Sequence, residues 1–255
     1  MKREHSKAPL IIAVVVAALF VVISAFCIYF FQFTEIGYRM SVTFRPSFEK
    51  IGDNIYVNKL DEDERDEVAL MTETISKAKK RVGDFFGELE SDSNTVIILC
   101  DDENTLKKLG GDHDTKTVFF PTLGNYVSIS PDYFNTDVLA HEITHAELHT
   151  RLNAAALKKL PTWFDEGLAM QNDNRKRYSE SAWEELTDNG KITVDLRDID
   201  TPDEFYSGGE EDTRLRYICA KHEVGEWMER RGREGLLGLI DNLNSGEDFY
   251  TVYGE

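Results

Sequence analysis

Cysteine and positive charge are both scarce in this chain. Three cysteines in 255 residues, one of them inside a long apolar run, do not make a disulfide scaffold. Cys100 closes a strand-like pattern and Cys219 lies in a helical one, so both read as small apolar fillers. Lysine and arginine number 29 against 47 aspartates and glutamates, for a net charge of −18. That balance excludes nucleic acid as a partner, because phosphate backbones are held by basic patches. The acidic excess reads chiefly as a solvated face. No internal repeat or low-complexity tract is present. The acidic stretch from Ile192 to Arg214 lacks the spacing of an EF-hand loop.

One apolar stretch is long. Pro9 to Phe31 runs for 23 residues without a charge, enough for the roughly 30 Å of a bilayer's hydrocarbon. Lys2, Arg3 and Lys7 precede it, and only Arg39 follows closely, so the positive-inside rule leaves the N-terminus in the cytoplasm. Ser24-Ala25-Phe26-Cys27 is a poor cleavage site, which makes the run an uncleaved signal anchor. The expectation is a single-pass protein of the cell membrane. Residues 1–8 form a cytoplasmic tail, 9–31 span, and the rest is extracytoplasmic.

Residues 32–60 read as an extended approach segment, and 61–255 as the working domain. Val68, Met71, Ile75, Ala78, Val82 and Phe85 recur at helical spacing, up to a stop near Gly87. Thr95 to Cys100 is a central strand, Asp101 to Gly110 a short helix, and His113 a surface residue. Thr117–Phe120 and Asn125–Ser130 make two strands around a turn at Pro121. Ile192 to Arg214 is a mobile surface segment near a cleft mouth. A helix from Thr213 is capped by Gly232 and followed by another from Arg233 to Leu243. The fold class is α+β, with a sheet subdomain at 61–134 and a helical one at 135–255.

The chemistry concentrates between Asp137 and Asp173. His141-Glu142-Ile143-Thr144-His145 is an HExxH sequence in a helical pattern. Helical residues four apart lie about 40° from one another, so the two imidazoles face the same way. Neutral imidazoles are favoured zinc ligands. Glu142 then reaches a water at the metal without ligating it. Downstream, Leu160-Pro161-Thr162-Trp163-Phe164-Asp165-Glu166-Gly167-Leu168-Ala169 reads as a fresh helix start, with Thr162 and Asp165 forming a capping box. Glu166 falls in its first turn, and Gly167 permits close approach of another backbone. If that helix returns beside the first, Glu166 meets the two histidines.

HExxH followed about twenty residues later by Trp-Phe-x-Glu-Gly-x-Ala resembles the gluzincin metallopeptidases, in particular compact bacterial peptidase MA-like domains. The resemblance spans roughly 44–254, with its specific motifs confined to 141–169. It implies a zincin-like fold, with the active helix between a small mixed sheet and a helical subdomain. It implies one zinc ion held by His141, His145 and Glu166, with Glu142 as general base, and a peptide or protein substrate. A tyrosine early in the downstream helix makes Tyr217 the candidate to stabilise an oxyanion, with His222 as second choice. An edge strand beside the active helix, here Asn125, Tyr126, Val127 and Ser128, would hold extended substrate backbone; an ordinary structural hairpin is the other reading. In thermolysin-like relatives an acidic residue four after the third ligand supports a zinc histidine. Here that position is Met170, so Asn172, Asp173 or a residue elsewhere must serve. Two alternatives stand beside the peptidase: a catalytically silent extracellular binding or sensor module, and a zinc hydrolase of a non-peptide amide or ester. Oligomeric state leaves no trace in the sequence.

Overall fold

The computed structural model describes residues 8–58, 67–111, 115–120 and 124–254. The tail at 1–7, His113 and turn residues 121–123 lie outside them. The apolar run becomes one helix, α1 (Ala8–Phe33), with 23 residues from Ile11 to Phe33 long and apolar enough to cross a membrane.

The next segment is not extended. Thr34 breaks α1 and caps α2 (Glu35–Ser41), its Oγ1 accepting from the Gly37 N–H at 3.1 Å. Met40 to Phe44 alternates apolar and polar residues as a strand would, yet these residues are helical, with Tyr38 and Val42 one turn apart on a buried face. β1 (Phe48–Gly52) and β2 (Ile55–Asn58) then form a hairpin through Asn54, which carries a φ of 56°. Both strands belong to the main sheet, so the folded unit begins well before residue 61.

α3 (Val68–Phe86) buries Ile75, Ala78, Val82 and Phe86, and stops at Gly87 with a φ of 97°. β3 (Thr95–Leu99), β4 (Thr115–Phe120) and β5 (Gly124–Ile129) complete a mixed five-stranded sheet in the order β1-β2-β3-β5-β4. β2, β3 and β5 are parallel neighbours, and β4 returns antiparallel to β5. Alternation sorts the side chains between two cores. Ile97, Leu99, Val127 and Ile129 join the larger one with α3 and α5 (Thr136–Arg151). Ile98, Cys100 and Tyr126 face the smaller one, covered by Tyr38 and Val42 and by Leu106 and Leu109 at α4 (Glu103–Lys108).

This order corrects the reading of β5 as an edge. β5 is hydrogen-bonded on both sides, and Asn125, Val127 and Ser128 are fully buried, with Tyr126 nearly so. The Asn125 amide donates to Thr150 Oγ1 at 2.9 Å and to the Ala146 carbonyl at 3.2 Å, stapling the strand to α5. None of the four is placed to receive a substrate backbone. The edge is β4, one strand earlier in the chain.

α6 (Ala154–Leu157), α7 (Thr162–Ala169), α8 (Glu180–Leu186), α9 (Pro202–Phe205), α10 (Glu210–Asn244) and α11 (Phe249–Gly254) fill the second half. α10 bends where the sequence placed a stop, at Gly232, whose φ is 63°. The stretch from Ile192 to Arg214 is held down. Phe205 enters the larger core, and Asp200 accepts from Trp163 Nε1 at 3.1 Å and from the Tyr250 hydroxyl.

Candidate metal centre

α5 owes its start to Asn135, whose Oδ1 accepts from the N–H groups of Asp137 and Val138, each at 3.0 Å. Everything from Val138 to Leu148 is then buried. A helix buried all round must satisfy its polar residues internally. His141 and His145 do so by turning toward α7.

Their Nε2 atoms lie 3.1 Å apart. Glu166 Oε2 completes a triangle, 3.3 Å from His141 Nε2 and 3.4 Å from His145 Nε2. All three residues are buried, and Glu166 Oε2 and His141 Nδ1 have no hydrogen-bond partner among the described residues. Three donor atoms so close, with one left unsatisfied, form a group able to hold a metal ion. Burial alone would raise the Glu166 carboxyl, but His145 and His141 hold it well below the usual carboxylate range.

Asp165 orients this arrangement, and it is not a cap. The N-cap of α7 is Pro161, without a side-chain bond, and the Thr162 N–H donates to the Asp200 carbonyl at 2.7 Å. Asp165 instead points to α5. Its Oδ1 accepts from His145 Nδ1 and its Oδ2 pairs with His149 Nε2, both at 2.7 Å. Despite burial, the two histidines keep Asp165 well below its ordinary range. Burial alone would lower His145, but Asp165 and Glu166 raise it well above. With its proton on Nδ1, a neutral His145 presents the Nε2 lone pair to Glu166 and His141. The supporting acid that Met170 cannot provide is therefore Asp165. Asn172 donates to Thr144 Oγ1 at 3.0 Å, and Asp173 pairs with Arg175 at 2.5 Å; neither bonds to a histidine.

Glu142 faces the edge strand. Thr115 Oγ1 donates to its Oε1 and Thr117 Oγ1 to its Oε2, two residues on one face of β4 gripping both oxygens. On the far side the Tyr206 hydroxyl donates to Glu166 Oε1. The ring of Tyr217 lies beside that of Tyr206, the two centroids 6.4 Å apart. Burial first, and Glu166 second, push both phenols well above their usual range. The Tyr217 ring lies 6.3 Å from that of His141.

His222 is elsewhere. Its ring stacks on Trp183 at 3.7 Å and pairs with Glu180 at 3.2 Å, in a groove that none of the clustered residues lines. Residues four or seven apart share a helix face, but His222 is five after Tyr217 and turns away.

Asp165, His149, Tyr206, Thr115 and Thr117 were not singled out by sequence. His149 repeats the four-residue step of His141 and His145, a signal that was available. Tyr206 follows Glu166 by 40 residues in a stretch without periodicity and gave none. Two cavities, about 780 and 670 Å³, meet at Thr115, His141, Glu142, Tyr206 and Tyr217. No family model matches this chain, and no curated protein matches it either.

Proposed function

We propose that this chain is a membrane-anchored zinc metallopeptidase of gluzincin type. The observation that carries the reading is the convergence of His141, His145 and Glu166 beside Glu142, in a cleft open on two sides. Tetrahedral zinc with bonds of about 2.0–2.1 Å needs ligand atoms about 3.3–3.4 Å apart. The triangle's edges of 3.1, 3.3 and 3.4 Å suit that ion. The HExxH and Trp-Phe-x-Glu-Gly-x-Ala resemblance points the same way.

Zinc, when bound, supplies a Lewis acid that polarises a carbonyl and acidifies water. The protein's residues do the rest. Asp165 fixes the ring orientation of His145, and Tyr206 holds Glu166. Glu142 takes a proton from water on one Oε and returns it to the departing amine nitrogen. Thr115 and Thr117 aim that carboxylate. Tyr217 donates to the oxyanion. β4 offers its outer backbone groups to an extended peptide. The apolar α1 and the lysines and arginine before it support an anchor with the domain outside the cytoplasm.

The test uses the full-length protein in detergent. We expect one zinc per chain, lost in Glu166→Ala. We expect cleavage of a labelled peptide library, reduced about 10²–10⁴-fold in Glu142→Gln, which keeps its zinc. Cleavage by Glu142→Gln at the parent rate would overturn the mechanism. Zinc binding without hydrolysis of any peptide would favour the silent module.

A further inference from the structure

The larger cavity carries charge of the wrong sign for so acidic a chain. From Glu142 it extends to Arg175, Arg177 and Arg214, around the ring of Tyr178. Two of these guanidiniums lie over that ring, Arg175 at 5.1 Å and Arg177 at 4.9 Å from its centroid.

Their partners differ. Arg175 is neutralised by buried Asp173, with Nε 3.0 and 2.9 Å from its two oxygens. Among the described residues Arg177 pairs with Glu210 alone, at 3.8 Å, and Arg214 with Glu211 alone, at 3.9 Å, and both glutamates are at least 80 % exposed. Long, exposed pairs of this kind contribute almost nothing. Arg214 also donates weakly to the Arg177 carbonyl at 3.4 Å, while its buried Nε has no acceptor among the described residues. Terminal guanidinium nitrogens so weakly paired in a cavity wall, Arg177 Nη2 and Arg214 Nη1, suit a carboxylate. The acids near it are already committed or swing in solvent: Glu142 is held by two threonines, Asp173 by Arg175, and Glu210 is loose.

We propose that Arg177 and Arg214, braced by Arg175 and Tyr178, form a subsite that selects substrates bearing a carboxylate. The inference rests on the peptidase reading and adds the substrate class. An incoming carboxylate replaces Glu210 on Arg177 and Glu211 on Arg214. The carboxylate is either an acidic side chain or a free chain end.

The full-length protein in detergent is given fluorogenic peptides that differ at one position, Glu, Gln or Lys, scanned along the peptide with an amidated C-terminus. A further Gln peptide has a free C-terminus. At one register we expect Glu to exceed Gln about tenfold or more in kcat/KM, mostly through KM. In an Arg177→Ala/Arg214→Ala variant that retains its zinc and its melting temperature, the Glu-to-Gln ratio should fall to about one. A gain confined to the free C-terminus identifies the chain end as the group recognised. Equal cleavage of Glu, Gln and Lys peptides at every register, or a preference surviving in the double variant, overturns the subsite and leaves the peptidase standing. If no peptide is cut, anisotropy of the same peptides on Glu142→Gln decides. Arginine-dependent binding of the Glu peptide then keeps the subsite and removes the hydrolase, and its absence removes both.

Discussion

Asp165 takes hydrogen bonds from two histidines at once, so its charge and its geometry are both in use. Asp165→Asn keeps the size and can still accept from His145, but it loses the charge that fixes the ring's tautomer. We expect metal affinity about 10–100-fold weaker by competition with a chromophoric chelator. Affinity equal to the parent's would reduce Asp165 to a packing residue. The same aspartate marks how far single residues could be read from sequence. The step from His141 to His145 sets which side of a helix both face. Glu166 was reachable because it stands in a helix start with a glycine after it. Asp165, in the same turn, matched a capping box equally well, and local spacing does not say whether a carboxylate bends back to its own backbone or out to another helix. Tyr206 belongs to a contact that exists only after the chain has folded.

Between elements, Gly167 sets the distance from α7 to α10. A Cβ there would meet the Ala220 carbonyl oxygen at 2.6 Å and a Val224 methyl at 2.7 Å. We expect Gly167→Ala to cost about 1–3 kcal/mol, read as a melting temperature several degrees lower. A parallel loss of zinc would follow, since α7 carries Glu166. Unchanged melting would mean the two helices separate freely. Elements with a strong period, α3, β3, the β4–β5 hairpin and the bend at Gly232, were legible because burial imposes that period on sequence. Position within the sheet was not. β4 and β5 are both apolar, and a hairpin has the same pattern whichever arm is outermost; only the parallel pairing of β5 with β3 decides it. The α2 segment misled for a related reason, since a run of seven residues is too short to show its period.

For the molecule as a whole, acid should be destabilising through identifiable groups. Asp173 is fully buried, yet Arg175 holds its carboxyl below the ordinary value of 3.8. A carboxylate with a depressed folded pKa stabilises the protein above its unfolded pKa, and that contribution is lost as pH falls through the folded value. Stability in chemical denaturation should therefore drop progressively below about pH 4. Asp173→Asn should be less stable at pH 7 but flatter across that window; an equally steep fall would assign the acid sensitivity to other carboxylates. At the N-terminal end, α2 and the turn after it tie α1 to the sheet. Arg39 is 3 % exposed and donates from Nε to the Leu109 carbonyl, and Arg45 donates to the Phe31 carbonyl and to Gln32 Oε1 at 3.2 Å. Gly37 lies so close to Phe30 that no side chain fits between them. With α1 in a bilayer, such a joint leaves no slack. The cleft then stands at one height and one bearing above the lipid, as on a post rather than a leash. On the proposed peptidase reading, substrates in the same membrane would be chosen by stature, the distance a stem lifts the susceptible bond, before any side chain is read.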